Sequence, residues 1–285
     1  MEKGSDAVRL IDEFFEAEKI EYFSVLSYSD CKTTRDDIIS REDLTPRSVI
    51  IFLIPYYSGE TVNISRYAAS KDYHLFVRGV TDRLTAFLKK HYPDSKSKGY
   101  GDHSPIDERH AALIGGLGVL GKNQLLINEK YGSYVFIAEV ITDLEPSILS
   151  ADTPSEIRGC ENCGKCLKGC PTGKLCTNTA PCLSEITQRK GELSDREAEL
   201  IIKSNTAWGC DECQSVCPYN KNPKKTPIRF FYEDRIEELT EDMLSSMDKK
   251  AFMERAFAWR GRKTVERNLK ILANEKRLSH LGITE

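Results

Sequence analysis

An α+β fold in unlike parts is what this sequence of 285 residues predicts. Three observations carry it. Residues 5 to 141 alternate between helical and strand patterning. Nine of the ten cysteines fall between Cys160 and Cys217. Between these regions Pro146, Pro154 and several Ser, Thr and Asp residues form a linker-like stretch. We therefore expect an N-terminal α/β domain over 1–148, a Cys-rich domain over 149–228 and a short helical segment over 229–285.

Each element has a local reason. Leu10, Ile11, Phe14 and Phe15 recur at helical spacing, so Ser5 to Lys19 is expected to be a helix capped by Ser5 or Asp6. Glu21 to Leu26 has strand character. Ser48 to Pro55 is a continuous apolar run, the pattern of a strand covered on both faces. Tyr73 to His91 places Leu75, Phe76, Val80, Leu84, Phe87 and Leu88 on one helical stripe. His110 to Ile114 reads as a short helix that runs into the turn at Gly115-Gly116-Leu117-Gly118. Leu125 to Ile127 and Tyr134 to Ile141 read as strands. Asp195 to Asn205 is a helix opened by the capping box Ser194-x-x-Glu197. Glu233 to Asp248 is an acidic helical stretch. Arg255 to Arg277 carries eight Lys or Arg against Glu266 and Glu275.

Composition narrows the class. Hydrophobic residues make up 40% and charged residues 30%, which is ordinary for a soluble globular protein. The longest apolar run, Val49 to Ile54, is too short to span a bilayer, so no membrane partner is expected. Residues 1–6 lack the layout of a signal peptide, which points to the cytoplasm. A net charge of −3 excludes a globally basic nucleic-acid binder, though not a local basic patch. In a reducing compartment, clustered thiols act as metal ligands rather than disulfides.

The cysteines form two runs. One is Cys160-x2-Cys163-x2-Cys166-x3-Cys170-Pro171. The other is Cys210-x2-Cys213-x3-Cys217-Pro218, with Cys182 upstream. The first has the bacterial ferredoxin spacing for a [4Fe–4S] cluster, in which the fourth Cys ligates the other cluster. By that logic Cys160, Cys163, Cys166 and Cys217 hold one cluster, and Cys170, Cys182, Cys210 and Cys213 hold the second. A four-Cys zinc site would use paired C-x2-C units and leaves the third Cys and the x3 step unexplained. Cys31 and Cys176 read as ordinary free thiols. An electron carrier needs only this segment, so the preceding α/β region is expected to bind something else.

Two further segments carry chemistry. Gly115-Gly116-Leu117-Gly118-x2-Gly121-Lys122 lacks the spacing of a phosphate loop and follows a helix rather than a strand. Its glycines either make a sharp turn or let backbone approach a flat ligand. Asp72-x-His74 has Val77 where a cobalt-binding His motif needs Gly, so His74 reads as a surface residue at a helix start. Asp102 to Arg109 is dense in ionisable groups. It is either a solvated loop, with Asp107 or Glu108 paired to Arg109, or it contains a general acid.

Taken together, several segments resemble one family. They are Lys71-Asp72-Tyr73-His74, Asp102-x2-Pro105-x3-Arg109, Gly116-Leu117-Gly118-x2-Gly121-Lys122-Asn123 and Tyr131-Gly132-Ser133-Tyr134-x3-Ala138-Glu139. To these are added both cysteine runs, Thr187-Gln188-x-Lys190-Gly191 and Trp259-Arg260-Gly261-x-Lys263-x3-Arg267-Asn268. The set is similar to the epoxyqueuosine reductases, from about residue 5 to residue 275. The resemblance implies a cobalamin beside the ferredoxin-like domain, with Lys71, Asp72, Tyr73, His74, Gly118, Gly121, Lys122 and Asn123 as its contacts. It implies that an external low-potential donor feeds the clusters, and that an epoxide in the anticodon region of a tRNA is reduced. It implies Asp102 as proton donor. Members of the family end in a helical-repeat domain, of which at most one or two helices are expected within these residues. Two rival readings therefore stand beside this one: a cobalamin-dependent reductase of a small molecule, and a non-enzymatic electron carrier. The basic C-terminal segment, with Trp259, Arg260, Arg262, Lys263 and Arg267, is the candidate RNA contact: cations meet phosphates and an aromatic stacks on a base.

Overall fold

In the computed structural model, the backbone is described for residues 2–177 and 179–280, and side chains for 7–177 and 179–274. The chain divides into two compact units. The first comprises Met1–Tyr56, His74–Asn162 and Pro223–Ile228; the second comprises Tyr57–Tyr73, Cys163–Asn222 and Arg229–Glu285. This differs from three consecutive segments cut at 148 and 228, and backbone pairing explains the difference. Residues 152–160 return to the first unit, where the Asp152 N–H donates to the Val25 carbonyl and the Cys160 N–H to that of Leu120. Ser65 donates to the Trp208 carbonyl, and Ile236 to that of Ala69, within the second unit.

The first unit is built on a four-stranded sheet. Its strands are β1 (Phe23–Ser27), β2 (Ser48–Pro55), β3 (Ser97–Tyr100) and β6 (Val135–Thr142), in the order β1-β2-β6-β3. A separate two-stranded ribbon holds β4 (Val119–Leu120) and β5 (Leu126–Ile127). Every pairing in the four-stranded sheet is antiparallel. The expected α/β unit is corrected in this respect. The unbroken apolar run of β2 reflects a central antiparallel strand covered on both faces, and it needs no parallel crossover. Helix α1 (Glu2–Ala17) sends Phe15 against Phe52 of β2, with ring centroids 5.0 Å apart. On the opposite face Val49, Ile51 and Leu53 join Ala111, Ala112 and Leu113 in one core cluster. Alternate residues of the strand thus serve two cores, as the period of two requires. Burying each such side chain contributes about 1.5–3 kcal/mol.

Helix α2 (Tyr73–His91) and helix α3 (Glu108–Ile114) complete the unit. The backbone of Ser5 and Asp6 lies inside α1, so neither caps it; their side chains lie outside the described residues. Strand β3 had no sequence signal, because Ser-Lys-Gly-Tyr lacks an apolar run. Its Gly99 admits α2: a Cβ there would stand 2.2 Å from Cβ of Thr81.

The second unit holds α4 (Leu183–Gln188), α5 (Asp195–Lys203), α6 (Glu241–Ser246) and α7 (Arg262–His280). The Ser194/Glu197 capping box forms as expected. The acidic stretch 233–248 is helical only from Glu241, where the Thr240 side chain accepts from the Met243 N–H. Ahead of it, Ile236 and Leu239 are drawn into the core instead. That core surrounds Trp208, fully buried, whose Nε1 donates to the Tyr67 hydroxyl at 2.9 Å. Asn268 of α7 is also buried and donates to the Thr187 and Ala207 carbonyls at 2.7 and 2.8 Å.

Candidate functional site

The thiols come first. Cys163, Cys166, Cys170, Cys182, Cys210, Cys213 and Cys217 all belong to the second unit, whereas Cys160 lies in the last residues of the first. Cys182 immediately precedes α4. The Cys210 thiol is pushed up to about 12 by burial, and further by the charges of Cys182, Cys213 and Asp211; the Glu212 N–H opposes this. Cys182, Cys210 and Cys213 are therefore neighbours. Repulsion among thiolates becomes ligation around a cationic iron centre, where coordinated thiols are deprotonated. Burial pushes the Cys170 thiol up, but N–H donors of Leu175, Thr172 and Lys174 and the Thr172 hydroxyl outweigh it and hold it below its ordinary value. Such donors to sulfur are the usual surroundings of a cluster ligand. These residues fit the group. Cys176 is exposed, and its Sγ donates to the Leu167 carbonyl at 3.5 Å. Cys31 is buried in the first unit, which raises its thiol to about 12. Among the described residues, no three His, Cys, Asp or Glu side chains converge on a single-ion site.

The second cluster of chemistry lies in the first unit. Asp102 sits just beyond β3 with φ of +64°, a left-handed conformation that Asp tolerates better than most residues. One of its carboxylate oxygens lies 3.4 Å from His74 Nε2. His74 stands in the first turn of α2, and both side chains are about half exposed. His103, the next residue, meets Arg35 at 2.8 Å.

The pairing expected for the rest of the loop does not form. Arg109 donates to the Gln124 carbonyl at 2.6 Å, and Asp107 caps α3 by accepting from the His110 N–H at 3.0 Å. Glu108 turns inward. Its carboxyl is raised by burial, then by the charges of Glu139 and Asp102, while the Asp102 backbone N–H donates to it. Glu139 of β6 is fully buried and raised by burial and by Asp102. Within this ionisable cluster, burial falls on Glu108 and Glu139, while Asp102 stays about half exposed. Apart from its place in the family-like segment ending Ala138-Glu139, Glu139 is marked in the sequence only as an acid inside an apolar strand.

The glycine loop resolves toward sharp packing. A Cβ at Gly118 would lie 2.5 Å from the Ile127 carbonyl oxygen, and one at Gly121 2.3 Å from Asn123 Oδ1. Gly118→Ala should therefore destabilise the first unit by about 1–3 kcal/mol, measured by urea unfolding; an unchanged midpoint would contradict this packing. Lys122 is exposed. Asn123 is buried; its Oδ1 accepts from Leu125, and its Nδ2 has no hydrogen-bond partner. Lys71 pairs with Asp234 at 3.2 Å and with Glu254 at 3.1 Å, so its ammonium serves the second unit internally. The Asp72 N–H donates to the Glu254 carbonyl, and Tyr73 is buried.

The basic segment divides. Arg262 donates to the Leu244 and Met247 carbonyls and lies over the Phe252 ring. Arg267 donates to the Arg189 and Gly191 carbonyls. Both guanidiniums thus hold carbonyls of helix ends and loops in their own unit. Trp259 is 58% exposed, with the Arg260 guanidinium 3.7 Å from its ring centre, and Lys263 is exposed. The side chains of Lys276 and Arg277 lie outside the described residues.

Comparison with known proteins bears on both sites. Residues 44–103 match the family described as "Epoxyqueuosine reductase QueG, DUF1730", and residues 159–220 match the 4Fe-4S double cluster binding domain. An epoxyqueuosine reductase of Bacillus subtilis is 35% identical over 71% of this chain and 53% of its own length. One of Leadbetterella byssophila is 32% identical over 73% of this chain and 72% of its own length. The chain thus spans about half the length of the Bacillus relative it matches. An epoxyqueuosine reductase solved with a tRNA-Tyr epoxyqueuosine-modified stem loop is 26% identical, with TM-score 0.72 over 93% of this chain and 81% of that one. The Bacillus subtilis enzyme solved with its aspartate catalytic loop swung out of the active site gives TM-score 0.70 at 26% identity. Identity at this level, sustained over most of one full relative, means that the chain belongs to the epoxyqueuosine reductase family.

Proposed function

We propose that this chain reduces the epoxide of epoxyqueuosine in the anticodon region of tRNA, with two [4Fe–4S] clusters and a cobalamin. The observation that carries the reading is the presence in one family member of the double cysteine run and of Asp102, held on a left-handed loop against His74. An oxidoreductase needs electrons from an external donor, and the cysteine runs provide their path. Cys160, Cys163, Cys166 and Cys217 hold one cluster; Cys170, Cys182, Cys210 and Cys213 hold the other.

When bound, the cobalamin supplies a low-valent cobalt that acts on the epoxide carbon. On this chain, Lys122 and the unpartnered amide nitrogen of Asn123 fit a cofactor bearing phosphate and amide acceptors. Gly118 and Gly121 shape their loop. Removing the oxygen breaks both carbon–oxygen bonds, forms a carbon–carbon double bond and releases water. Two electrons and two protons are consumed. Asp102 supplies a proton to the departing oxygen, and His74 holds its carboxylate in place.

Trp259 stacks on an unpaired base, stiffened by Arg260, while Lys263 meets phosphate. Trp259→Ala should weaken binding of an anticodon stem-loop by about tenfold, since base–aromatic stacking contributes about 1–3 kcal/mol. Lys263→Glu should weaken it and also flatten its salt dependence. Fluorescence anisotropy across a salt series checks both, and unchanged affinity in the double variant would remove this surface from the reading. The decisive test of function is anaerobic reconstitution with iron, sulfide and cobalamin, followed by nucleoside analysis of epoxyqueuosine-containing tRNA. Queuosine must appear only with the reductant and the loaded chain present.

A further inference from the structure

Glu139 occupies a place where an acid is costly. On β6 it shares one face with Ile137 and Ile141, which pack in the core cluster beneath α3. Neither of its carboxyl oxygens is within hydrogen-bond geometry of a partner, and the nearby Ser104 hydroxyl only partly offsets the effect of burial. Glu108, the first residue of α3, is held over the same core, and its Oε1 is also buried without a partner. The cations on the elements around the pair are engaged elsewhere: Lys98 of β3 with Glu42 at 3.5 Å, and Arg109 of α3 with the Gln124 carbonyl. The other titratable groups nearby are Tyr100, directly opposite Glu139 in the sheet register, together with Tyr28, Cys31, Asp107, His110 and Asp102. None of these supplies a fixed positive charge. Two carboxylates in such a dry site cannot both ionise, because desolvation and like-charge repulsion add.

The pair also touches the active loop. The Asp102 backbone N–H donates to Glu108, so one member of the pair grips the residue that bears the proton-donating side chain. The proposed reaction takes two protons per turnover, and an ionised Asp102 has given only one. We propose that Glu108 and Glu139 are an internal proton store for Asp102: the pair holds one proton between its two carboxyl groups and returns it to Asp102 once Asp102 has protonated the departing oxygen. The proton leaves the pair as Asp102 regains it, and solvent refills the pair between turnovers. Both are positioning and supply residues, acting through Asp102. The inference rests on the reading of the chain as an epoxyqueuosine reductase.

The test has a spectroscopic arm and a kinetic arm on the reconstituted full chain. With isotope-labelled glutamate, infrared difference spectra at neutral pH should show a carboxylic-acid C=O band that Glu139→Gln or Glu108→Gln removes. Turnover of Glu139→Gln should fall about tenfold or more at about pH 8 and by less than about twofold at about pH 6, where solvent acid restores Asp102 directly. Iron and cobalamin content should match the parent chain. A parent chain without the band overturns the proposal, as does an equal loss of turnover at both pH values, which marks a merely structural role. If Glu139→Gln fails to fold, the parent band and the Glu108→Gln profile still decide. If the parent chain does not convert epoxyqueuosine in tRNA, the functional reading fails and proton delivery to substrate falls with it. The infrared band then reports separately on proton holding.

Discussion

Asp102→Asn should load both clusters and cobalamin and yet turn over epoxyqueuosine-containing tRNA at least about 10²-fold more slowly, the usual scale for loss of a general acid. Asparagine keeps the shape of the side chain and tolerates the left-handed backbone at φ of +64°. It can still accept from His74. What it lacks is an acidic proton for the oxygen that leaves. Asp107→Asn is the control. Asp107 caps α3 by accepting from the His110 N–H, and Asn caps helices as well as Asp does. Its effect should stay within a few tenths of a kcal/mol of stability, with turnover close to that of the parent. Single-turnover nucleoside analysis separates the two variants. Near-normal conversion by a fully loaded Asp102→Asn chain would take Asp102 out of the mechanism.

Iron content provides the second large effect. The reconstituted chain should carry about eight irons, four in each cubane. Cys182→Ala should lose one cluster, about half the iron and sulfide, because Cys182 stands with Cys210 and Cys213. Cys176→Ala should keep both clusters, since that thiol is turned to the Leu167 carbonyl at the surface. Electron paramagnetic resonance of the reduced protein adds a readout beyond stoichiometry. Loss of one cluster removes the coupling between two nearby spins and leaves a simpler signal. If Cys176→Ala loses a cluster and Cys182→Ala does not, the ligand assignment must be exchanged.

Part of this architecture is legible in the sequence. Ser48–Pro55 and Tyr73–His91 appear with the bounds their patterning predicts. A six-residue apolar run and a five-turn stripe each outweigh local alternatives. The Ser194/Glu197 box is equally local, since both partners lie within four residues. The cysteine spacing is a chemical constraint written along the chain, and the family description of residues 159–220 agrees with it. Asp102 was singled out through the resemblance, while its backbone conformation and its approach to His74 were not visible.

Which charged residues face inward is set by long-range packing. Glu139 looks in sequence like a polar interruption of a strand. It is the register of β6 against β2 and β3, with α3 above, that removes it from water and sets Glu108 against it. Arg262 and Arg267 look like members of a basic stripe, and carbonyls more than a dozen residues away claim both. Gly99 and Gly118 look like loop residues until Thr81 and Ile127 close on them. Periodicity, capping and ligand spacing are encoded in neighbouring residues, so the strongly patterned elements and the cysteine chemistry can be read from the chain, whereas β3 cannot. The fate of a charge depends on how well it is solvated and paired, and those partners are brought by strands and helices far away along the chain.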